Sequence, residues 1–139
     1  MKKPDPLLQG CSQKPGKGHK RLPGQQEGGW APRPCPECPN QKLFEPKVSN
    51  QLFCCPQHNR AWHNRAKSRG GNLTPLAMIA RITRNGTRGT PQGREAGRAA
   101  SNAHNALIQR YRDEDREAGR MDWAELTIRR FKLGLEPLK

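Results

Sequence analysis

Large apolar side chains are scarce in this chain of 139 residues. Aromatic residues make up 5% of it and all hydrophobic residues 32%, whereas it contains 14 glycines and 13 prolines. So few large side chains bury little area, and their burial offsets only part of the conformational entropy lost on folding. A large enclosed active-site cleft is therefore not expected, and the fold needs another stabiliser, such as a structural metal ion.

Acidic residues and long apolar runs are also scarce. The chain has 12 Asp and Glu against 26 Lys and Arg, a formal charge of +14. All of the excess positive charge lies in residues 1–112, because residues 113–139 carry six basic and seven acidic groups. No run is long enough for a membrane span or a signal peptide, so we expect a cytoplasmic protein without a membrane partner. The positive excess favours a polyanionic partner.

The cysteines are unevenly placed. Four of the five lie within residues 35–55, in the pattern Cys35-x2-Cys38, fifteen residues, then Cys54-x3-His58. An odd number of cysteines without a signal peptide favours reduced thiols over a disulfide framework. A tetrahedral zinc site takes two close thiolates and a second pair about one helical turn apart. The spacing therefore predicts one structural zinc ion held by four protein ligands, with no open coordination position.

Two other assignments of the second ligand pair are possible. Cys55 could replace Cys54, although Cys55 precedes Pro56 and fits better as a helix cap. His63 could replace His58, but it lies further into the expected helix and would point away from the metal. Cys54 and His58 are favoured because residues at i and i+4 of a helix converge on one side.

The segment Phe53-Cys54-x3-His58-Asn59-Arg60, followed by a basic helix to Arg69-Gly70, resembles a known type of zinc module. It is similar to the treble-clef modules of small, largely uncharacterised bacterial and prophage proteins, with His58 where those modules usually have a fourth cysteine. The resemblance covers residues 35–70. It implies a small metal-stabilised α+β fold, in which a treble-clef-like finger (knuckle, short β-hairpin, helix) is followed by about three α-helices.

Composition and local signals divide the chain into three parts. We expect a disordered basic tail over residues 1–33, a zinc-finger module over 34–70 and a small helical region over 71–139. Proline and capping residues predict helix starts at Pro56, Pro75, Pro91 and Asp122. The first helix is expected to end near Lys67. The hairpin strands are expected around Leu43, Phe44 and Val48, with a turn near Ser49-Asn50. A helix break is expected over 113–119. Two helices are expected to have apolar faces, the first at Leu76, Ile79, Ala80 and Ile82 and the second at Ala96, Ala100, Ala103, Leu107 and Tyr111.

The helix that follows the metal ligands predicts a function. With His58 on the metal, Ala61 and Trp62 should pack on the hairpin while basic side chains lie outward or at the helix end. The residues expected to contact phosphate are Arg60, Arg65, Lys67 and Arg69, and the basic surface continues through Arg81, Arg84, Arg88, Arg94 and Arg98. We therefore predict a zinc-stabilised nucleic-acid-binding protein of bacterial or phage origin, with an accessory or regulatory role and duplex DNA as the preferred partner. A merely solvated helix face is the alternative.

A protein-interaction adaptor is the rival function. In that interpretation residues 113–133 dock on a larger assembly, such as a polymerase, a topoisomerase or a phage particle, with Trp123, Leu126 and Phe131 as partly exposed anchors. Burial of all three would favour DNA binding instead. Treble clefs also host His-Asn-His nucleases, but the expected hairpin, residues 39–53, contains no histidine, so neither an enzyme nor a small-molecule substrate is expected.

Overall fold

The computed structural model describes residues 29–135. This part of the chain is a small α+β structure, as the sequence predicts at this coarser level. It has one two-stranded sheet and three α-helices, one helix fewer than predicted. The elements are β1 (Arg33–Pro34), β2 (Leu43–Phe44), α1 (Pro56–Ile82), α2 (Pro91–Glu117) and α3 (Trp123–Lys132). The predicted disordered tail lies outside the described residues up to residue 28, whereas Arg33 belongs to β1. None of the helices in residues 29–135 has the length and apolar character that crossing a membrane requires.

The chain forms two compact units. The knuckle unit comprises residues 29–61 and 118–135 of the described chain, and the helical hairpin unit comprises residues 62–117. The division falls inside α1, between Ala61 and Trp62. Each unit therefore has its own packing.

The sheet of the knuckle unit is formed by the strands on either side of the Cys-x2-Cys segment. β1 and β2 are antiparallel, with Arg33 opposite Phe44 and Pro34 opposite Leu43. The predicted pairing of Leu43-Phe44 with residues beyond a turn at Ser49-Asn50 is wrong. Pro46 has no N–H for a ladder, which ends β2 early. The Arg33 Nη1 donates to the carbonyl oxygens of Ser49 and Gln51, both at 3.1 Å, and so holds that segment without strand pairing.

Helix α1 is one element of 27 residues where the sequence predicts two helices. Pro75 lies inside it and cannot donate to the carbonyl of Gly71. Gly71 is exposed, so water can satisfy that carbonyl, and the Thr74 hydroxyl donates to the Gly70 carbonyl at 2.7 Å. The predicted end near Lys67 is wrong because these local costs are small beside the burial of a continuous helix face.

Helix α2 begins at Pro91 as predicted, and the Thr90 hydroxyl accepts from the Gly93 N–H at 3.1 Å. Its inward face differs from the predicted apolar face, because Ala96 and Ala103 of that face are exposed. The inward positions are Gly97, Ala100, His104, Leu107 and Tyr111. A side chain at Gly97 would overlap the hydroxyl of Thr83, so the two helices approach most closely where α2 has no Cβ.

The predicted stripe of α1 is only partly inward as well. Ala80 is buried and Leu76 is half-buried, but Ile79 and Ile82 are exposed. The buried row instead continues from Ala80 to Thr83, the residue that follows the end of α1. The helical period predicted for α1 is right, but the buried face is rotated from the predicted one. It is centred on small residues, because α1 packs closely against α2 there.

The predicted helix break over residues 113–119 is also wrong in its first half. Helix α2 continues to Glu117, and Asp115 is buried rather than solvated. The Asn72 side-chain amide donates to the Tyr111 hydroxyl at 3.1 Å, and Arg69 bonds Asp115. These contacts lie at one end of the two helices, and the close approach of Thr83 and Gly97 lies at the other. Helices α1 and α2 are therefore antiparallel within the hairpin unit.

Helix α3 is bounded as the sequence predicts. The Asp122 carboxylate accepts from the Ala124 N–H at 2.8 Å, whereas the Glu125 carboxylate accepts from Arg129 at 2.9 Å instead of completing a capping box. The helix ends at Lys132, and Gly134 follows with φ of +70°, a conformation that glycine adopts without strain.

Candidate metal centre

The four predicted metal ligands come together in the knuckle unit. Cys35 directly follows β1, Cys38 lies at the end of the Cys-x2-Cys turn, Cys54 precedes α1 and His58 lies in the first turn of that helix. Their ligand atoms all lie within 4.8 Å of one another. Cys35, Cys38 and His58 are at most 6% exposed.

Four of the six distances between these atoms are close to those around a tetrahedral ion. The Sγ atoms of Cys38 and Cys54 are 3.6 Å apart. The Nδ1 of His58 lies 3.6 Å from the Sγ of Cys35, 3.4 Å from that of Cys38 and 3.2 Å from that of Cys54. Bonds of about 2.3 Å to sulfur and about 2.0 Å to nitrogen give tetrahedral edges of about 3.8 and about 3.5 Å. The cluster could therefore hold a metal ion, as the spacing predicts.

Backbone geometry supports the cysteine turn. The Cys35 N–H donates to the Lys42 carbonyl at 3.0 Å and extends the ladder of β1 and β2. The Gln41 N–H donates to the Cys38 carbonyl at 2.9 Å, and the Cys54 N–H points to the Cys35 sulfur at 3.5 Å. An amide donor at a thiolate stabilises its negative charge and orients it for ligation.

The electrostatics favour a neutral imidazole. Burial lowers the pKa of His58, and the nearby carboxylate of Glu37 offsets part of that shift. The neutral ring is the form that ligates a metal. The site is therefore poised to accept an ion near neutral pH.

The segment after α2 closes over the Cys-x2-Cys turn. The Met121 N–H donates to the Pro36 carbonyl at 3.1 Å, and the Arg120 Nε lies 3.5 Å from the buried carboxylate of Glu37. A Cβ at Gly119 would lie 2.6 Å from the backbone nitrogen of Asn40, so this approach requires glycine. Sequence reasoning missed these contacts because the partners are about eighty residues apart and no periodicity links them.

The alternative ligands stand apart from the cluster. Cys55 is half-buried and is not one of the four residues whose ligand atoms converge, and His63 is exposed. The backbone carbonyl of Cys55 accepts from the Asn59 N–H at 3.2 Å, which fits a residue at the start of the helix. The geometry therefore favours Cys54 and His58.

The predicted phosphate-contacting residues separate into two pairs. Arg60 and Lys67 are exposed. The prediction that Arg69 lies outward is wrong, because Arg69 is 7% exposed and its guanidinium bonds both carboxylate oxygens of Asp115, at 2.7 and 3.0 Å. Arg65 is half-buried, with its Nε 3.7 Å from the same carboxylate. The continuation of α1 and the antiparallel course of α2 bring Asp115 opposite these arginines.

Further contacts complete this buried ion pair. The Arg69 Nη2 donates to the Glu114 carboxylate at 3.1 Å, and the guanidinium carbon lies 4.7 Å from the centre of the Tyr111 ring. Bidentate pairing and stacking on an aromatic face both suit a guanidinium that has left water. Arg69 thus clamps the two helices together.

Another group of arginines lies where α1 passes into α2. These turn arginines are Arg81, Arg84, Arg88, Arg94 and Arg98; all are exposed except the half-buried Arg94. The Arg94 Nη1 donates to the Gly89 carbonyl and the Arg98 Nη1 to the Gly86 carbonyl, both at 3.2 Å. The sequence shows their charge but not that residues from both helices meet at one turn.

Comparison with known proteins finds no matching family model, no matching curated protein and no matching solved structure. What the protein can do is therefore inferred from its own residues.

Proposed function

We propose that this chain is a zinc-stabilised nucleic-acid-binding protein, with a treble-clef-like module and an accessory or regulatory role in a bacterium or phage. The main support for this proposal is the uneven distribution of charge along the helical hairpin unit. Residues 71–112 contain seven arginines and a single carboxylate, Glu95, whereas four of the five acidic residues of the unit lie within 113–117. Uncompensated arginines favour a polyanion through bidentate phosphate contacts and counterion release.

Zinc is the proposed ion because of the donor set. Three thiolates and one imidazole in a tetrahedral arrangement suit Zn²⁺. Hard cations such as Mg²⁺ and Ca²⁺ prefer oxygen ligands instead. Four protein donors around one ion leave no coordination position for a substrate, which supports a structural role. The residues that would hold it are Cys35, Cys38, Cys54 and His58.

Duplex DNA is the proposed partner. The helical hairpin unit has two aromatic rings, Trp62 and Tyr111; Trp62 is buried and the Tyr111 ring is covered by the Arg69 guanidinium. Neither ring is an open platform for stacking unpaired bases. The exposed Arg60 and Lys67 of α1 suit contact with a phosphate backbone. Arg65 and Arg69 are left out of the proposed contacts, since both face Asp115.

A salt series on the full chain tests this function. We expect one zinc per chain by metal analysis, and binding of a random-sequence duplex that weakens linearly in log affinity between about 50 and 200 mM salt. The slope should be about −0.9 for each phosphate contacted. Absent binding, or an affinity that does not respond to salt, would reject the proposal.

The adaptor function is a second candidate, because α3 exposes apolar side chains. Phe131 is 63% and Ile128 56% exposed, and Trp123 is 38% exposed, although Leu126 is buried at 3%. On this interpretation the α3 surface would dock on a polymerase, topoisomerase or phage particle. If the protein is an adaptor, replacing Ile128 and Phe131 by Asn should abolish its binding to a purified polymerase or topoisomerase. If DNA binding is the function, the same variant should keep its affinity for duplex DNA.

A further inference from the structure

We infer that the α1–α2 turn, with its five turn arginines, is the principal phosphate-binding site of this protein and recognises the backbone of duplex DNA. The inference rests on the proposed nucleic-acid function and assigns it to a surface other than the exposed residues of α1 near the metal centre.

The turn has a defined backbone. The Thr83 carbonyl accepts from the N–H groups of Thr87 and Arg88, both at 2.9 Å, and the Thr83 hydroxyl accepts from the Gly86 N–H at 3.1 Å. Arg84 and Asn85 have φ of 46° and 56°, and Gly86 has φ of 84°. Three successive left-handed residues held by these bonds fix where the arginine side chains begin.

Glycines bring the second helix against this turn. A Cβ at Gly86 would lie 2.5 Å from the Arg94 carbonyl oxygen and 2.8 Å from the Arg98 nitrogen, and one at Gly97 would lie 2.7 Å from the Thr83 Cβ. Such approaches are open only to residues without a side chain. The turn and the start of α2 therefore form one rigid surface.

The arginines of α2 are anchored while their charge stays available. Arg94 and Arg98 each donate one N–H to a turn carbonyl, and a guanidinium has five N–H donors. A side chain already held in place loses less entropy when it binds a phosphate. Arg81, Arg84 and Arg88 are exposed on the α1 side of the same turn and make no ion pair within residues 29–135.

The charge distribution distinguishes this turn from the rest of the unit. Residues 81–98 contain five arginines and one acid, Glu95. At the other end of the same helices, Asp113, Glu114 and Asp115 each pair with an arginine. Bringing like charges together raises the energy of the folded chain. That repulsion opposes folding, and it is offset when a polyanion binds.

Two triple variants of the full-length zinc-bound protein test the assignment. The turn variant replaces Arg81, Arg84 and Arg88 by Gln. The matched control replaces Arg110, Arg112 and Arg116 by Gln, which removes the same charge from exposed positions at the far end of α2. A third variant, R60Q with K67Q, tests the α1 surface. Each is measured against a random-sequence duplex over a salt series and against vesicles rich in phosphatidylserine, and circular dichroism verifies that each is folded.

We expect the turn variant to lose affinity on the order of a hundredfold near 0.1 M salt and to reduce the salt slope by about 2 to 3. The control should change the slope by less than about 1. Equal losses in both triple variants, or a larger loss in the α1 variant, would overturn the assignment while leaving nucleic-acid binding intact. So would a turn variant that loses only vesicle binding. Failure of the unsubstituted protein to bind duplex would instead remove the proposed function itself.

Discussion

The two units of this small protein solve the shortage of apolar residues differently. The knuckle unit has strands of only two residues each, and two of its buried core residues, Cys35 and Cys38, are candidate metal ligands. The helical hairpin unit has long helices that pack through small residues, such as Ala80 and Ala100, and are clamped by a buried ion pair. One unit has a site that a metal can stabilise, and the other depends on side-chain contacts.

The two units also differ in how their charged side chains are used. In the knuckle unit, Arg120 and Arg129 are used internally, with Glu37 and the Pro34 carbonyl as partners. In the hairpin unit, the ion pairs seen within residues 29–135 gather at the end that holds Arg69, whereas the turn gathers five arginines, four of them exposed. Charge that stabilises and charge available for a ligand thus occupy opposite ends of the same two helices.

Loss of the proposed metal ion should have the largest effect, because it should unfold the knuckle unit and leave the helical hairpin unit folded. A chelator, or the C38S substitution, is expected to abolish amide protection in β1, β2 and the Cys-x2-Cys turn, because the binding free energy of a structural zinc, about 10 to 16 kcal/mol in finger peptides, is folding free energy. Helix α2 should keep its protection. Hydrogen exchange measured by mass spectrometry reports both.

The C55S substitution is the matched control for metal loss. Cys55 is the neighbour of Cys54 but lies outside the converging group, so zinc stoichiometry and protection should be unchanged. Zinc loss in C55S, or collapse of both units together on chelation, would contradict the proposed ligand set or the independence of the units.

Breaking the buried ion pair should destabilise the hairpin unit by the next largest amount. The side chains of Arg69 and Asp115 are 8% and 7% exposed. D115N leaves a buried guanidinium with a weaker partner set, so a loss of about 3 to 5 kcal/mol in the free energy of unfolding is expected. Urea unfolding followed by circular dichroism measures it.

The R116Q substitution provides the comparison for that loss. Its guanidinium pairs with Asp113 at 3.1 Å, but the two side chains are 70% and 45% exposed. Exposed pairs contribute about 0 to 1 kcal/mol. If D115N and R116Q cost the same, the ion pair of Arg69 is not the clamp described above.

The candidate metal ligands could be predicted from the sequence because ligand chemistry constrains both residue type and spacing. Cys35, Cys38, Cys54 and His58 are local pairs whose geometry a turn and a helix start determine. Helix starts at Pro91 and Asp122 were predictable for the same reason, since caps act within one turn.

The remaining differences all come from contacts between distant residues. Pro75 is a helix start by local rules, yet packing along α1 outweighs them. Asp115 looks solvated beside other acids, and only the antiparallel course of α2 brings it to Arg69. The partner of β2 cannot be predicted locally, because Arg33 lies two residues before Cys35 at the edge of the expected disordered tail.

Packing at the turn should show an intermediate effect. In G97A the added methyl group meets the Thr83 side chain, so we expect a loss of about 1 to 3 kcal/mol despite the better helix propensity of alanine. The matched variant G71A has no atom within 4 Å of its new methyl group and should gain about 0.5 to 1 kcal/mol. Thermal unfolding of both proteins checks the opposite signs, and a stabilising G97A would contradict the close approach of the two helices.

The smallest expected effect is a pH dependence confined to the knuckle unit. Because burial lowers the pKa of His58 in the folded chain, protonation favours the unfolded state. The stability contribution is thus full above the ordinary pKa, about 6.5, and is lost as pH falls below it. The four candidate ligands all lie in the knuckle unit, and α2 belongs to the other unit. After correction for the intrinsic exchange rate, which itself falls with pH, amide protection should therefore decrease in the knuckle unit below about pH 6.5 before it does in α2.

The H58C substitution sharpens this pH test, because it keeps four donors but exchanges the imidazole for a thiol. An ordinary thiol has a pKa of about 8.5, so between about pH 7 and 8 zinc binding by H58C should release one more proton than binding by the unsubstituted protein. Competition with a chromophoric chelator over that range measures the two slopes. Identical slopes would mean that His58 does not contribute its imidazole to the metal site.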